Sequence, residues 1–321
     1  MTNKPASAAK TSAAQTSATK PSAGIVVVDK PAGWTSHDVV GKLRRIFHTK
    51  KVGHSGTLDP MATGVLVVGI DRGTRFLPHV HADTKAYTTT ISLSTATHTD
   101  DAEGEVIFTA APDTLRGITA DHIRQAVAAL TGDIMQRPAA VSAVKIDGVR
   151  AHERVRRGEK VDLPARPVTV SEFNISEIRF DCTDGFGNPA IEIDAAISCT
   201  AGTFVRALAR DLGEDLGVGG HLIALRRTRA GVFDLSSSRT IEQLEAEPTL
   251  SMSLDTACVT CFPTREITEA EGKDLSQGKW LSPVGLKGIH AAVEPGGRVP
   301  ALIEEAGTRA KTVFVVHPST L

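Results

Sequence analysis

Residues 190–199 constrain the fold most sharply, because their side chains alternate with period two and set Ile191, Ile193, Ala195 and Ile197 on one face. Such alternation describes a strand with one buried and one wet face, the habit of antiparallel sheets. A weaker alternation runs through 85–93, whereas 65–70 is continuously apolar and reads as a fully buried strand. Another short strand is predicted at 25–29, closed by the turn Lys30-Pro31-Ala32-Gly33. Helical spacing follows Ser36, taken as an N-cap, with Val39, Leu43 and Ile46 on one face and Val40 and Phe47 widening it. Further helices are predicted over 119–130, 151–157 and 203–216, the last stopped by Gly217. Strands and helices interleave without a regular βαβ rhythm, so the expected class is α+β, built on a mixed, largely antiparallel sheet flanked by helices.

A chain of 321 residues, 41% of them hydrophobic, can support more than one unit. Residues 1–24 are almost all Ala, Ser, Thr, Pro and Lys and are expected to be a disordered tail. Residues 25–253 form the predicted main domain. From 254 to 321 a short helix and strand-like pieces, including 311–316, suggest a small separate module. The longest apolar run, 61–70, is too short to span a bilayer, and no apolar stretch follows the basic N-terminus, so a cytoplasmic protein without a membrane partner is expected. Of the four cysteines, Cys182, Cys199, Cys258 and Cys261, only the last two form a CxxC pair. With no second pair to complete a zinc site, they are read as buried or bystander thiols, and no metal is expected.

A net charge of −1 argues against a nucleic-acid partner, which requires clustered cations. The average conceals such clusters: Lys42, Arg44, Arg45, Lys50 and Lys51 in one stretch, and Arg154, Arg156 and Arg157 within 150–160. Basic runs are commonly plain solvated faces and become informative only beside a site.

The candidate site is the polar, Gly-rich stretch Gly53-His54-Ser55-Gly56-Thr57-Leu58-Asp59-Pro60. Proline disfavours helical dihedrals in the residue before it, so Asp59 sits on extended or turn backbone. Gly53 and Gly56 allow a turn or a close approach to a ligand, and the Lys-Ser/Thr ending of a phosphate-binding Walker loop is missing.

This stretch, continued through Met61, Ala62, Thr63 and Gly64, resembles the catalytic motif of the TruB family of tRNA pseudouridine-55 synthases. Four further stretches agree in order and spacing: Val28 to Gly33, Lys85-Ala86-Tyr87, Gly202 to Gly213 with Arg206 inside it, and Gly220 to Thr228 with Leu225. Together they run from about Ile25 to Phe233. The resemblance implies the pseudouridine synthase fold, no cofactor, no obligatory protein partner, and the T arm of tRNA as the RNA partner. It implies that Asp59 is the nucleophile, attacking base or sugar, and that Arg206 holds it charged and oriented. Tyr87 would stack on the target uracil, its hydroxyl being a candidate for removing the C5 proton. Leu225 would wall the pocket, and His54 would enter the T loop and stabilise the flipped base. The basic residues Lys42, Arg44, Arg45, Lys50, Lys51, Arg154, Arg156 and Arg157 would contact RNA phosphates. Residues 254–321 resemble a short or divergent RNA-binding PUA domain.

The sequence departs from the family in two places. His98 stands where an acidic residue is usual, and Phe204 where tyrosine is. Two other classes of function are open to the residues. One is a tRNA-folding chaperone acting without turnover. The other is a hydrolase using Asp59 with metal held by Asp100, Asp101 and Glu103, although a hydrated acidic turn explains those three.

Overall fold

In a computed structural model of the chain, residues 23–80, 83–139, 145–146, 148–159, 161 and 163–319 are described. The expected tail lies outside them except for its last two residues, and Gly24 already belongs to the first strand.

A ten-stranded mixed sheet organises the molecule. Its strands are β1 (Gly24–Lys30), β2 (Val52–Ser55), β3 (Thr63–Ile70), β4 (Thr84–Leu93), β5 (Gly132–Gln136), β6 (Arg166–Thr183), β7 (Pro189–Thr200), β8 (Gly220–Ala230), β9 (Phe233–Asp234) and β10 (Met252–Ser253). The order is β10-β1-β3-β8-β4-β7-β6-β5, with β2 on β3 and β9 on β8. Only the β3–β8 pairing is parallel, so the sheet is mixed and largely antiparallel, as the alternating segments required. Three helices matter for the site: α1 (Ser36–Ile46), α2 (Ala120–Ala129) and α3 (Val205–Asp215).

Burial explains the two kinds of strand. In β7, Ile191, Ile193, Ala195 and Ile197 enter the main core while the intervening residues stay more exposed. In β1 and β3 both faces are covered: Val26, Val28, Leu66 and Val68 face the main core, and Ile25, Val27, Val65 and Val67 enter a second one. That second core is completed by Leu254, Phe262, Leu302, Phe314 and Val316 from the C-terminal segment. The C-terminal segment, with helices α4 (Leu254–Cys261) and α5 (Glu269–Ser276), carries a four-stranded sheet of β11 (Thr264–Glu266), β12 (Ile289–Val293), β13 (Ala301–Ala306) and β14 (Arg309–Val315). It therefore shares a hydrophobic core with the main sheet, and Arg72 adds a hydrogen bond from Nε to the Val315 carbonyl at 2.8 Å.

Three local details depart from the sequence reading or were absent from it. The N-cap of α1 is Thr35, which forms a capping box with Asp38, whereas Ser36 turns its hydroxyl inward. His54 lies on strand β2, not in a loop. The 18-residue β6 had no signal in the sequence, because register shifts against β7 at three points break its alternation.

Candidate active site

The Asp59 loop leaves β2 and returns into β3, and it is pinned from three sides. The Ser36 hydroxyl donates to the Leu58 carbonyl (3.1 Å) and accepts from the Leu58 N–H (3.0 Å). The Pro60 carbonyl accepts from the Gly33 N–H at 2.9 Å and from Lys30 Nζ at 3.1 Å. Lys30 is fully buried and also donates to the carbonyls of Pro31 and Trp34. Burial pulls its pKa down to about 8, against the opposing pull of Asp59. Across Asp59-Pro60 the Ala62 N–H donates to the Asp59 carbonyl (3.1 Å), closing a turn that presents the side chain outward.

That side chain meets Arg206, on the first turn of α3, with Nε 2.9 Å from Oδ2. The arginine side chain is only 7% exposed while that of Asp59 is 38% exposed, so the pair opens on one side. Arg206 Nη1 is taken by the Thr99 carbonyl (2.7 Å) and Asp101 Oδ2 (3.2 Å). Asp100 faces Arg210 in the same way at 3.2 Å, and burial pushes its carboxyl up to about 6. Asp100 and Asp101 are therefore buried partners of arginines, not a hydrated turn, and the metal-bound hydrolase loses its ligands to two guanidinium groups. His98 is exposed, and the carboxylate that braces Arg206 is that of Asp101. Phe204, the N-cap of α3, is held by Gln136, whose amide donates to its carbonyl (3.0 Å) and accepts its N–H (2.8 Å).

Asp59, Tyr87, Arg206 and Leu225 line one cavity of about 210 Å³, together with Thr57, Leu58, Lys85, Gly202, Thr203, Phe204 and Val205. Tyr87 on β4 and Leu225 on β8 come together because these strands are neighbours, with Leu225 opposite Thr89 and Arg227 opposite Tyr87. Burial pushes the Tyr87 phenol up and the Lys85 ammonium down. His54 is not among the lining residues. Its ring stands edge-on to His37 at 6.1 Å, its Nδ1 is buried without a hydrogen-bond partner among the described residues, and burial lowers its pKa.

The basic residues divide. Arg44, Arg45, Lys50 and Lys51 are exposed, and Lys42 is ion-paired with Glu245. Arg157 is exposed and Arg154 reaches Glu159 at 3.5 Å, while the side chain of Arg156 lies outside the described residues. In the CxxC pair, burial raises both thiols, Cys261 to about 11. Lys30, Gln136 and Arg227 were not singled out by the sequence, and Asp101 was considered only as a metal ligand. Lys30 and Arg227 fall inside the matched stretches, which was the only signal available for them.

Sheet order and pocket bring together four residues that the resemblance singled out, Asp59, Tyr87, Arg206 and Leu225. Solved structures with this fold include an H/ACA RNP bound to a substrate RNA containing 2'-deoxyuridine, with a TM-score of 0.68 and 21% identity over 92% of this chain and 86% of that one. An archaeal box H/ACA sRNP Nop10-Cbf5 complex gives a TM-score of 0.66 and 23% identity over 92% and 87%. The chain belongs to the TruB family of pseudouridylate synthases. The N-terminal family model matches residues 44–205, the tRNA pseudouridylate synthase B C-terminal domain 206–256, and the tRNA pseudouridine synthase II C-terminal model 262–317. Among curated relatives, a tRNA pseudouridine synthase B of Corynebacterium diphtheriae is 60% identical over 298 residues, 93% of this chain and 97% of the relative. One from Rhodococcus jostii is 52% identical over 300 residues, 93% and 95% respectively. No helix among the described residues is long and apolar enough to cross a membrane.

Proposed function

We propose that the chain converts uridine 55 in the T loop of tRNA to pseudouridine, with Asp59 as the nucleophile. The half-open Asp59–Arg206 pair at the mouth of a pocket walled by Tyr87 and Leu225 carries this reading. The reaction breaks the bond between ribose C1′ and uracil N1, turns the base and joins C1′ to C5, with the C5 proton released and N1 taking up a proton. Nothing is oxidised or reduced, so no cofactor is called for. Arg206 is held on its far side by Asp101 and the Thr99 carbonyl, which fixes Nε on the nucleophile. Tyr87 would stack on the flipped uracil, and stacking worth roughly 1–3 kcal/mol offsets much of the few kcal/mol that extrusion costs. Leu225 forms the apolar wall, and His54 enters the T loop from β2. The exposed Arg44, Arg45, Lys50 and Lys51, with Arg154, Arg156 and Arg157, would follow the phosphates of the T arm, joined by the PUA-like C-terminal module. Lys42 contributes least, being engaged with Glu245.

Asp59→Asn preserves the shape of the side chain and removes its charge. The variant is expected to bind tRNA as the parent does and to form no pseudouridine, mapped by position in the product. Undiminished turnover would rule out the nucleophile, and modification away from position 55 would rule out the target. A protein acting only as a tRNA-folding chaperone would lose nothing on this substitution.

A further inference from the structure

Arg227 is among the most thoroughly buried charges in the molecule, with 1% of its surface exposed. It lies opposite Tyr87 across the β4–β8 ladder, and its charge acts on the tyrosine side chain. Its Nε donates to the Val65 carbonyl and its Nη2 to the Gly56 carbonyl, each at 2.7 Å. The backbone is shaped around it. Gly56 (φ +71°) sits over the guanidinium, with the place of a Cβ 3.5 Å from Nη1, and at Gly64 (φ +96°) a Cβ would fall 2.2 Å from the Arg227 carbonyl oxygen. Among the described residues no carboxylate forms an ion pair with it. Among the described residues, the carboxylate that acts on it is Asp59. A buried cation satisfied by two carbonyls, without a counter-ion, is costly unless a negative charge can form beside it.

We propose that Arg227 is a positioning residue for pseudouridine formation, acting through Tyr87: its guanidinium fixes the ring in the pocket and serves as counter-ion to the phenolate. The inference rests on the function proposed above and adds a residue to it. The phenolate, having lost its proton to water, accepts the C5 proton of the rejoined base. The electron pair of the C5–H bond returns to the uracil ring, N1 takes a proton from water, and Tyr87 ends as a neutral phenol. An ordinary phenol, with a pKa near 10, is a weak candidate for this work without such help.

The surroundings of Tyr87 are consistent with one dominant cationic influence. Burial pushes its pKa up, and Arg227 is the strongest opposing influence, ahead of Cys199 from β7 and Asp59 from the loop, which both push it further up. Lys85, on the same strand, and Arg206, from α3, complete the charged groups around the pocket. Arg227 itself is absent from the lining, so it reaches substrate only through Tyr87 and the Asp59 loop.

The chain contains one tyrosine, so an ultraviolet titration of the RNA-free protein reads Tyr87 alone. Arg227→Gln keeps hydrogen-bond donors and removes the charge. It is expected to move the tyrosine titration to higher pH by about one unit, a tenfold change in ionisation constant. On tRNA, kcat is expected to fall about 100-fold, with KM within about threefold of the parent. Arg227→Lys, retaining a cation, is expected to recover part of both changes. An unmoved titration, or a raised KM with unchanged kcat, would overturn the proposal. Should the glutamine variant not fold, Tyr87→Phe tests the contact from the other side: the guanidinium NMR signals of Arg227 must shift, and unshifted signals overturn it. Because the titration needs no turnover, failure here with an inactive Asp59→Asn condemns only this inference. An active Asp59→Asn with a displaced titration condemns only the nucleophile.

Discussion

Two buried arginines in this protein each hold a carboxylate, and they do so differently. In the C-terminal module Arg265 meets Glu305 at 3.4 Å, with the two side chains 9% and 8% exposed. The N–H groups of Val284, Gly285 and Leu286 fill both oxygens of Glu305, and the Ser282 carbonyl takes another donor of Arg265. At the pocket Arg206 is equally enclosed, but Asp59 is 38% exposed and lines the cavity. A carboxylate with both oxygens engaged and no exposed side is a fastener. One that an arginine fixes from behind, while its other side faces a cavity, is available for chemistry.

The comparison breaks most decisively if the two carboxylates can be exchanged in effect. Asp59→Asn is expected to reduce turnover by about 10⁴-fold or more while barely changing the melting temperature. Glu305→Gln is expected to do the reverse, lowering the melting temperature and leaving kcat intact at permissive temperature. The pH dependence of that loss has a definite sign. Hydrogen bonds from the Val284, Gly285 and Leu286 N–H groups hold the Glu305 pKa below its unfolded value near 4.3. Its stabilisation is therefore complete above that value and disappears as pH falls through the lower folded one, so thermal melts of parent and variant should converge in acid. A gap that widened on acidification would refute the assignment.

A smaller effect tests whether the openness of Asp59 depends on how its loop is clamped. Ser36→Ala strips Leu58 of partners for both backbone groups in a buried setting and is expected to cost about 1–3 kcal/mol in denaturant unfolding. A roughly tenfold fall in kcat at constant KM should accompany it. Unchanged kcat would mean that the loop keeps its shape without this clamp. The smallest change concerns the approach of RNA. Replacing Arg44, Arg45, Lys50 and Lys51 with alanine should lower the slope of log affinity against log salt by about 0.7–0.9 for each phosphate no longer neutralised, with no change in kcat at saturation. An unaltered slope would remove this face from the RNA path.

Much of the architecture was legible locally. The alternation of 190–199 and the unbroken apolar run of 65–70 announced a half-covered and a fully covered strand, since side-chain direction repeats every two residues whatever lies beyond. Pro60 alone kept Asp59 off a helix. The parts of the site that escaped notice, or that were read for another role as Asp101 was, are those whose meaning comes from distant partners. Asp101 stands 105 residues from Arg206, and Arg227 stands 171 residues from Gly56. In the run Arg226-Arg227 nothing local distinguishes the arginine paired with Asp29 from the one enclosed behind Tyr87.

The sequence by itself determined several of the strands and helices, the turn that presents Asp59, and which family pattern its neighbours follow. Tertiary structure alone decided which charges are buried, which carboxylate braces which arginine, and that the C-terminal module seals the second face of β1 and β3. The physical reason is that periodicity and turn chemistry are properties of adjacent residues, whereas desolvation and charge pairing exist only once strand order has brought remote side chains together.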